Sequence, residues 1–183
     1  MDAKRIRKIS NDQEKRTAKD LGSGRIRPGS GAFASMKGDA ISGRGKVGLN
    51  SDDFLIENKF TFASKYILKW DIWKKIEMEA LRENARTPAM QIDIAKGSGI
   101  EVQLVIMSVH DFEAWGMAGE FEIPEYPITI TANSTPLHAE SFYTAYKYNL
   151  FTRFDLQFEN RGHLVVISRR DFLYFLSVNQ QEN

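Results

Sequence analysis

The alternation of apolar and polar positions is clearest in residues 53–62, DFLIENKFTF. The apolar run Phe54–Ile56 is followed by polar residues that alternate with phenylalanine, and Glu57 and Lys59 are the first two on the polar side. A period of two is typical of a β-strand with one apolar and one polar face. The pattern therefore predicts a strand whose polar face begins at Glu57.

Two helices are predicted from a longer period. A broad apolar stripe with a period near 3.6 runs through residues 64–84, with Ser64 as the N-cap and the tryptophans directed into the core. A shorter helix is predicted over residues 13–21, capped by one of residues 10–12, with Glu14 in its first turn.

The sequence also contains a strand-turn-strand pattern that occurs twice. Residues 90–95 and 102–108 are predicted strands joined by KGSG, and Ser108 caps a short helical turn. After an acidic, then β-rich, then aromatic segment at 116–150, residues 152–176 show the same order and end in the same Ser-x-x-Asp-Phe. A duplication explains this similarity, and so do two unrelated strand-to-helix junctions with a shared Ser cap; we favour the second explanation.

Composition narrows the class of protein. With 183 residues and 42% apolar content, the chain is expected to form one domain with a substantial core. It contains no apolar run of membrane-spanning length, and its basic N-terminus does not resemble a secretory signal, so no membrane partner is expected. The absence of cysteine excludes disulfides and thiolate chemistry and is consistent with a cytoplasmic location.

Positive charge is concentrated at one end of the chain. Residues 1–50 carry 12 Lys or Arg and 5 Asp or Glu, whereas residues 101–140 carry 7 Asp or Glu and no Lys or Arg. The basic part includes two Gly-rich segments, 22–31 and 42–48, whose side chains suit contact with a DNA backbone. The same composition also suits a mobile surface loop, and the first segment lacks the Gly-Lys-Ser/Thr ending of a P-loop.

The candidate chemistry lies at the predicted strand. Glu57 and Lys59 are two residues apart and therefore point to the same face, and Asp39 precedes them after a Gly-rich turn. Carboxylates that hold Mg²⁺, with a lysine that stabilises charge or orients water, meet the needs of phosphodiester cleavage. The histidines lack zinc-ligand spacing, and His110 and His163 are expected to be structural.

The order of these motifs carries a family resemblance. A glutamate in a first helix is followed by S-G-A, K-G-D, F-L-I-E-x-K, and then a serine and a Lys-rich amphipathic helix, over about residues 10–110. This order resembles the PD-(D/E)XK nuclease superfamily, in particular the Holliday junction resolvases of phages and the related archaeal enzymes. The resemblance implies an α/β (α+β) fold with a mixed central β-sheet flanked by helices. It also implies Mg²⁺-dependent cleavage of DNA, with Mn²⁺ as a substitute, and a homodimer in the cytoplasm of the host cell.

The same resemblance divides the chain and assigns roles. Residues 13–115 form the expected nuclease core, after a basic tail at 1–12 and before a β-rich accessory extension at 116–183, which has no recognised counterpart. The matching catalytic residues are Glu14, Asp39, Glu57 and Lys59, of which the three acids hold the metal. The residues expected to contact DNA are Arg25, Arg27, Ser30, Lys37, Arg44, Lys46 and Lys65.

The sequence departs from the family pattern at two points, and it leaves three functions open. A glycine replaces the proline of the family name before Asp39, and Asp53 competes with Asp39 as the first acid but lies only four residues from Glu57. The favoured function is resolution of branched DNA in recombination. The alternatives are a restriction-type endonuclease and a non-catalytic DNA-binding or assembly protein that uses the basic N-terminus and the aromatic run at 142–151.

Overall fold

The computed structural model describes residues 3–20, 25–26, 40–41, 54–82, 87–96, 99–119, 121, 126–148 and 151–179. The helices in these ranges are α1 (Ala3–Asp20), α2 (Trp70–Arg82), α3 (Val109–Ala114), α4 (Ala139–Tyr148) and α5 (Arg169–Asn179), with a short 3-10 turn at Met117–Gly119. The strands are β1 (Arg25–Ile26), β2 (Ala40–Ile41), β3 (Phe54–Thr61), β4 (Lys65–Lys69), β5 (Thr87–Lys96), β6 (Gly99–Ser108), β7 (Ile128–Ile130), β8 (Ser134–His138), β9 (Arg153–Phe158) and β10 (Gly162–Ser168). None of the helices described here is both long and apolar enough to cross a membrane.

Eight strands form one mixed sheet in the order β1-β2-β3-β5-β6-β10-β9-β7. The pairs β3/β5 and β7/β9 are parallel, and the other neighbouring strands in this sheet are antiparallel. Helices flank the sheet, which confirms the predicted mixed α/β class. Among the strands described after residue 126, β7, β9 and β10 belong to this same sheet, because β10 pairs with β6 along most of its length. Strand β8 pairs instead with β4 in a separate two-stranded sheet.

Two apolar clusters fill the space on either side of the sheet. One cluster joins alternate residues of the central strands to α2, α4 and the small β4-β8 sheet, with Trp73 fully buried at its centre. The other joins the alternating residues on the opposite face to α3 and α5, where Phe112 and Phe172 are buried. Burial on both faces accounts for the nearly continuous apolar sequence of the central strands.

The predicted helix over residues 64–84 is wrong at its beginning. Residues 65–69 form β4, which pairs antiparallel with β8, and α2 begins only at Trp70. Within β4, Leu68 is fully buried while Ile67 is exposed, which is the two-residue alternation of a strand. The tryptophans of α2 are buried, as predicted.

The first helix is longer than predicted. It begins at Ala3, so residues 10–12 lie inside it and do not cap it. Glu14 is accordingly in the middle of the helix and not in its first turn. Two other local predictions are confirmed: β5 and β6 form the expected hairpin, and the hydroxyl of Ser108 accepts the N–H of Asp111 at 3.0 Å.

The chain contains two structural repeats. The elements β3-β4-α2-β5-β6-α3 recur in the same order as β7-β8-α4-β9-β10-α5, with the same parallel and antiparallel pairings. The hydroxyl of Ser168 accepts the N–H of Asp171 at 3.0 Å, as at the equivalent cap 60 residues earlier. We call these the first repeat (54–114) and the second repeat (128–179). Two unrelated junctions do not account for a likeness over six elements.

The repeats are related by a pseudo-two-fold axis. Ile106 and Val166 each lie two residues before the capping serine of their repeat, and they are paired with each other across β6 and β10. Ile67 and Pro136 are each the middle residue of their strand, and they are paired across β4 and β8. When equivalent residues pair with each other, the interface has the symmetry of a two-fold dimer.

Candidate active site

Glu57 and Lys59 lie side by side on β3. The Nζ atom of Lys59 is 2.6 Å from Oε1 of Glu57. The side chain of Lys59 is 30% exposed and that of Glu57 is 16% exposed. Their register partners on β5, Ile92 and Met90, belong to the cluster beneath α2, so the pair projects from that face of the sheet. The site is therefore partly sheltered but open to solvent.

Tyr66 on β4 lies within electrostatic range of this pair. Burial raises the pKa of Tyr66, while the charge of Lys59 lowers this pKa and that of Glu57 raises it. The phenol therefore remains protonated near neutral pH and presents a neutral hydrogen-bonding group. Sequence reasoning missed Tyr66 because it assigned this segment to a helix.

Helix α1 is fixed to the strand that carries the pair. The side-chain Nε2 of Gln13 donates to the main-chain carbonyl of Lys59 at 2.9 Å, and Gln13 is only 1% exposed. Its neighbour Glu14, which the resemblance assigns to the metal site, is half-buried. This buried amide restrains the backbone at the position from which the lysine side chain projects.

A buried carboxylate lies on the opposite face of the sheet, beneath α1. Asp93 is completely buried and accepts hydrogen bonds from Gln91 and Gln103, each at 3.1 Å, while Nη2 of Arg16 lies 3.2 Å from its other oxygen. Burial raises the pKa of Asp93, and the hydrogen bonds and Arg16 partly oppose that rise. This cluster anchors α1 to the sheet. The available sequence signal was an acid between two isoleucines of a predicted strand.

Arg169, at the start of α5, completes the attachment of α1. Its Nε donates to Oε1 of Gln91 at 3.1 Å, and its guanidinium forms an ion pair with Asp20 at the end of α1. Burial lowers the pKa of Arg169, and the neighbouring charge of Arg16 lowers it further. The second repeat thus helps to hold the helix that supports the Glu57–Lys59 pair.

Asp39, the predicted first acid, lies outside the described residues. Its chain neighbour Ala40 is described, and it pairs antiparallel with Ile56, the residue before Glu57. The competing acid Asp53 also lies outside the described residues.

The predicted DNA contacts are mostly beyond what the structure describes. Arg27, Ser30, Lys37, Arg44 and Lys46 lie outside the described residues. The backbone of Arg25 forms β1, where it pairs with Ile41. Lys65 is exposed at the first position of β4, opposite His138 of β8.

The second repeat contains a different buried polar cluster. Asp155 lies 2.8 Å from Nη2 of Arg153 and 3.0 Å from Nε2 of His163, and Arg153 also stacks over the ring of Phe112. Arg153 and Asp155 are each 4% exposed, so the ion pair is almost fully removed from water. These contacts agree with the structural role expected for His163, whereas His110 is exposed at the start of α3.

The described part of the site offers few ligands for a divalent metal. Among the described residues, no three His, Asp or Glu side chains converge as a metal site. Mg²⁺ is commonly held by one or two carboxylates together with water and substrate phosphate. Glu57 supplies one such carboxylate, and Asp39, which the resemblance makes the second, lies outside the described residues.

Comparison with known proteins adds no family assignment. No protein-family model matches the chain, and no curated protein sequence matches it. The interpretation of the site therefore depends on its own residues and their geometry.

Proposed function

We propose that this protein is a Mg²⁺-dependent DNA endonuclease that hydrolyses phosphodiester bonds in branched DNA, with Glu57 and Lys59 at its active site. The observation that carries the proposal is the 2.6 Å contact between Lys59 Nζ and Glu57 Oε1 on one face of β3. A carboxylate ligand and an ammonium group at this distance can act on the same phosphate. The resemblance of the surrounding motifs to junction resolvases supports the same chemistry.

Each residue has a separate role in this proposal. Glu57, with Asp39, would hold Mg²⁺, which supplies charge neutralisation at the phosphate and activation of water. The ammonium of Lys59 stabilises the negative charge that develops on the phosphate oxygens or orients the attacking water. The contact with Glu57 holds the lysine side chain ready for this role, and Gln13 fixes the backbone beneath it.

The surface next to the pair is rich in exposed positive charge. On β4 and α2 the exposed basic residues are Lys65, Lys69, Lys74, Lys75 and Arg82. Such a distribution attracts a polyanion and accelerates its association at low ionic strength.

A cleavage panel tests the proposal. The full chain is incubated with end-labelled four-way junction, flap, linear duplex and single-stranded DNA, with Mg²⁺, Mn²⁺ or EDTA. We expect metal-dependent cutting with preference for the junction, and loss of cutting in Glu57→Gln. Glu113→Gln, an exposed glutamate of α3, serves as the matched control and keeps wild-type cutting.

The panel also separates the alternatives. Cutting confined to particular sequences in linear duplex would replace branched DNA with a restriction-type target. Absence of cutting on every substrate with either metal, together with salt-sensitive DNA binding that EDTA does not change, would overturn the enzyme proposal and favour a non-catalytic DNA-binding protein.

A further inference from the structure

We propose that the second repeat is a built-in, non-catalytic partner, so that a single chain carries one cutting site and nicks one strand of its substrate. This inference rests on the proposed nuclease function for its chemistry. Its structural basis, the pseudo-two-fold axis between the repeats, is independent of that function. The proposal departs from the homodimer that the family resemblance implies.

The contacts between the repeats are reciprocal. The N–H of Trp70 at the start of α2 donates to the carbonyl of Asn133, and the N–H of Ala139 at the start of α4 donates to the carbonyl of Ser64, both at 2.9 Å. Each repeat therefore donates the N–H of the first residue of its helix to the other repeat and accepts the equivalent N–H in return. This is the arrangement expected of two protomers, here joined in one chain.

The shared interface is a core and not a loose contact. Equivalent residues of the two repeats occur together in one buried cluster, including the pairs Val105 and Val165, Met107 and Ile167, and Phe112 and Phe172. Strands β6 and β4 both use their free edges to pair with the second repeat. A second chain therefore cannot form the same two-fold contact without displacing half of the fold.

The sheet register identifies which residues are equivalent on the outer strands. Ile92 of β5 pairs with Leu104 of β6, and Leu156 of β9 pairs with Leu164 of β10. Leu104 and Leu164 are equivalent because each lies four residues before the capping serine of its repeat. Ile92 and Leu156 therefore occupy the same place in the two repeats.

The catalytic positions of the first repeat are occupied by different chemistry in the second. Lys59 on β3 pairs with Ile92 on the parallel strand β5. Ile128 on β7 pairs in the same way with Leu156 on β9, the residue equivalent to Ile92. Ile128 thus replaces Lys59. Glu57 precedes Lys59 by two residues, and the residue at that distance before Ile128 is Tyr126, which lies outside the paired residues of β7. These two positions therefore hold neither a metal-binding carboxylate nor an ammonium group. Both side chains are exposed, Tyr126 by 79% and Ile128 by 54%.

The second repeat also lacks the elements that accompany the site in the first. Residues 120–127, between the 3-10 turn and β7, are too few to contain counterparts of α1, β1 and β2. In the part that the structure describes, the second repeat therefore has no counterpart of β2, the strand that follows Asp39 in the first repeat. The β8-α4 segment carries one basic residue, Lys147, in contrast to the five on β4 and α2. Both differences assign cutting to the first repeat alone.

Incision of a supercoiled plasmid with a cruciform-forming inverted repeat tests this inference. One cut converts the plasmid to a nicked circle, whereas paired cuts across the junction produce linear DNA. With Mg²⁺ and excess plasmid, we expect nicked circles to accumulate before any linear product. Glu57→Gln should abolish nicking, and Tyr126→Phe at the equivalent position should nick at the wild-type rate.

Sedimentation of the full chain alone and bound to a four-way junction provides the second readout. We expect one 20.9 kDa chain in solution and one chain per junction at the concentrations that give nicking. Linear DNA as the first product, or two chains per junction with cutting of both strands, would overturn the built-in partner. Absence of any incision would instead reject the proposed nuclease, and the measured mass would still decide whether the second repeat replaces a partner.

Discussion

Trp70 and Gly162 pack directly against each other where the first repeat meets the second. A Cβ atom added to Gly162 would lie 2.6 Å from Cη2 of the Trp70 indole. The indole is 7% exposed and its ring centroid is 5.1 Å from that of Phe158, so it has little room to move. This contact requires glycine at the start of β10.

We therefore predict that Gly162→Ala lowers the free energy of unfolding by about 1–3 kcal/mol, the usual cost of overpacking a core. Gly99 is the matched control because it also begins a strand, but a Cβ there meets nothing within 4 Å. Urea unfolding of both variants measures the difference. Equal stability of the two alanine variants would show that the repeats are not tightly packed at this point.

Lys59→Met is expected to lower the rate of cutting by about 10²- to 10⁴-fold, the range for a group that assists proton transfer or charge stabilisation in the transition state. The fold should be little affected, because an ion pair that is partly exposed contributes only about 0–1 kcal/mol. Lys15→Met, at an exposed position of α1 on the other face of the sheet, is the control. Single-turnover cleavage rates measure the effect, and equal rates in the two variants would exclude Lys59 from the chemistry.

Gln13→Ala is expected to destabilise the protein by about 1–3 kcal/mol, because the partly buried carbonyl of Lys59 would lose the hydrogen bond from the buried Gln13 amide. Lys15→Ala, on the exposed side of the same helix, should have a small effect. Urea unfolding and hydrogen exchange of α1 measure the change. If Gln13→Ala leaves both measurements at their wild-type values, the amide does not hold α1 on β3.

Glu14→Gln separates the role that the family resemblance assigns from a structural one. If Glu14 completes the metal site, the variant requires a higher Mg²⁺ concentration for half-maximal cutting and retains its stability. A change in unfolding midpoint without a change in Mg²⁺ dependence would assign this half-buried residue to the packing of α1 instead.

Asp93 is expected to make stability depend on pH. Its pKa in the folded protein is raised above the ordinary value of 3.8, chiefly by burial, so the folded state holds this proton more tightly than the unfolded chain. Its contribution to stability is therefore greatest below that ordinary value and is lost as the pH rises through the folded pKa. Asp93→Asn cannot titrate, so its stability relative to wild type should increase as pH rises through this window. Urea unfolding at a series of pH values measures this, and the opposite slope would contradict it.

Local features of the fold were predictable from the sequence. The strand at residues 54–61, the hairpin that follows and the cap at Ser108 depend on neighbouring residues. The strand β4 was not predictable, because its partner lies about 70 residues away and its apolar residues also match a helical period. The common sheet of the two repeats was not predictable for the same reason, because β6 and β10 that join it are also far apart in the sequence.

The candidate site was predictable to a similar extent. The period of a strand was enough to place Glu57 and Lys59 together. The support from Gln13 was not predictable, because it binds a backbone carbonyl that no sequence pattern marks. Asp93 binds Arg16 of α1 and Gln103 of β6 as well as Gln91 of its own strand, so its role became visible only in the folded chain.

Titration with Mn²⁺, a paramagnetic substitute for Mg²⁺, is the most direct test of the central claim that Glu57 belongs to a metal-dependent site. Free Mn²⁺ is measured by electron paramagnetic resonance in the presence of wild type, Glu57→Gln or the control Glu113→Gln. We predict that the wild type and the control bind Mn²⁺ and release it to excess Mg²⁺. The affinity of Glu57→Gln should fall by about tenfold or more. Equal Mn²⁺ affinity in all three proteins would contradict the metal-dependent site.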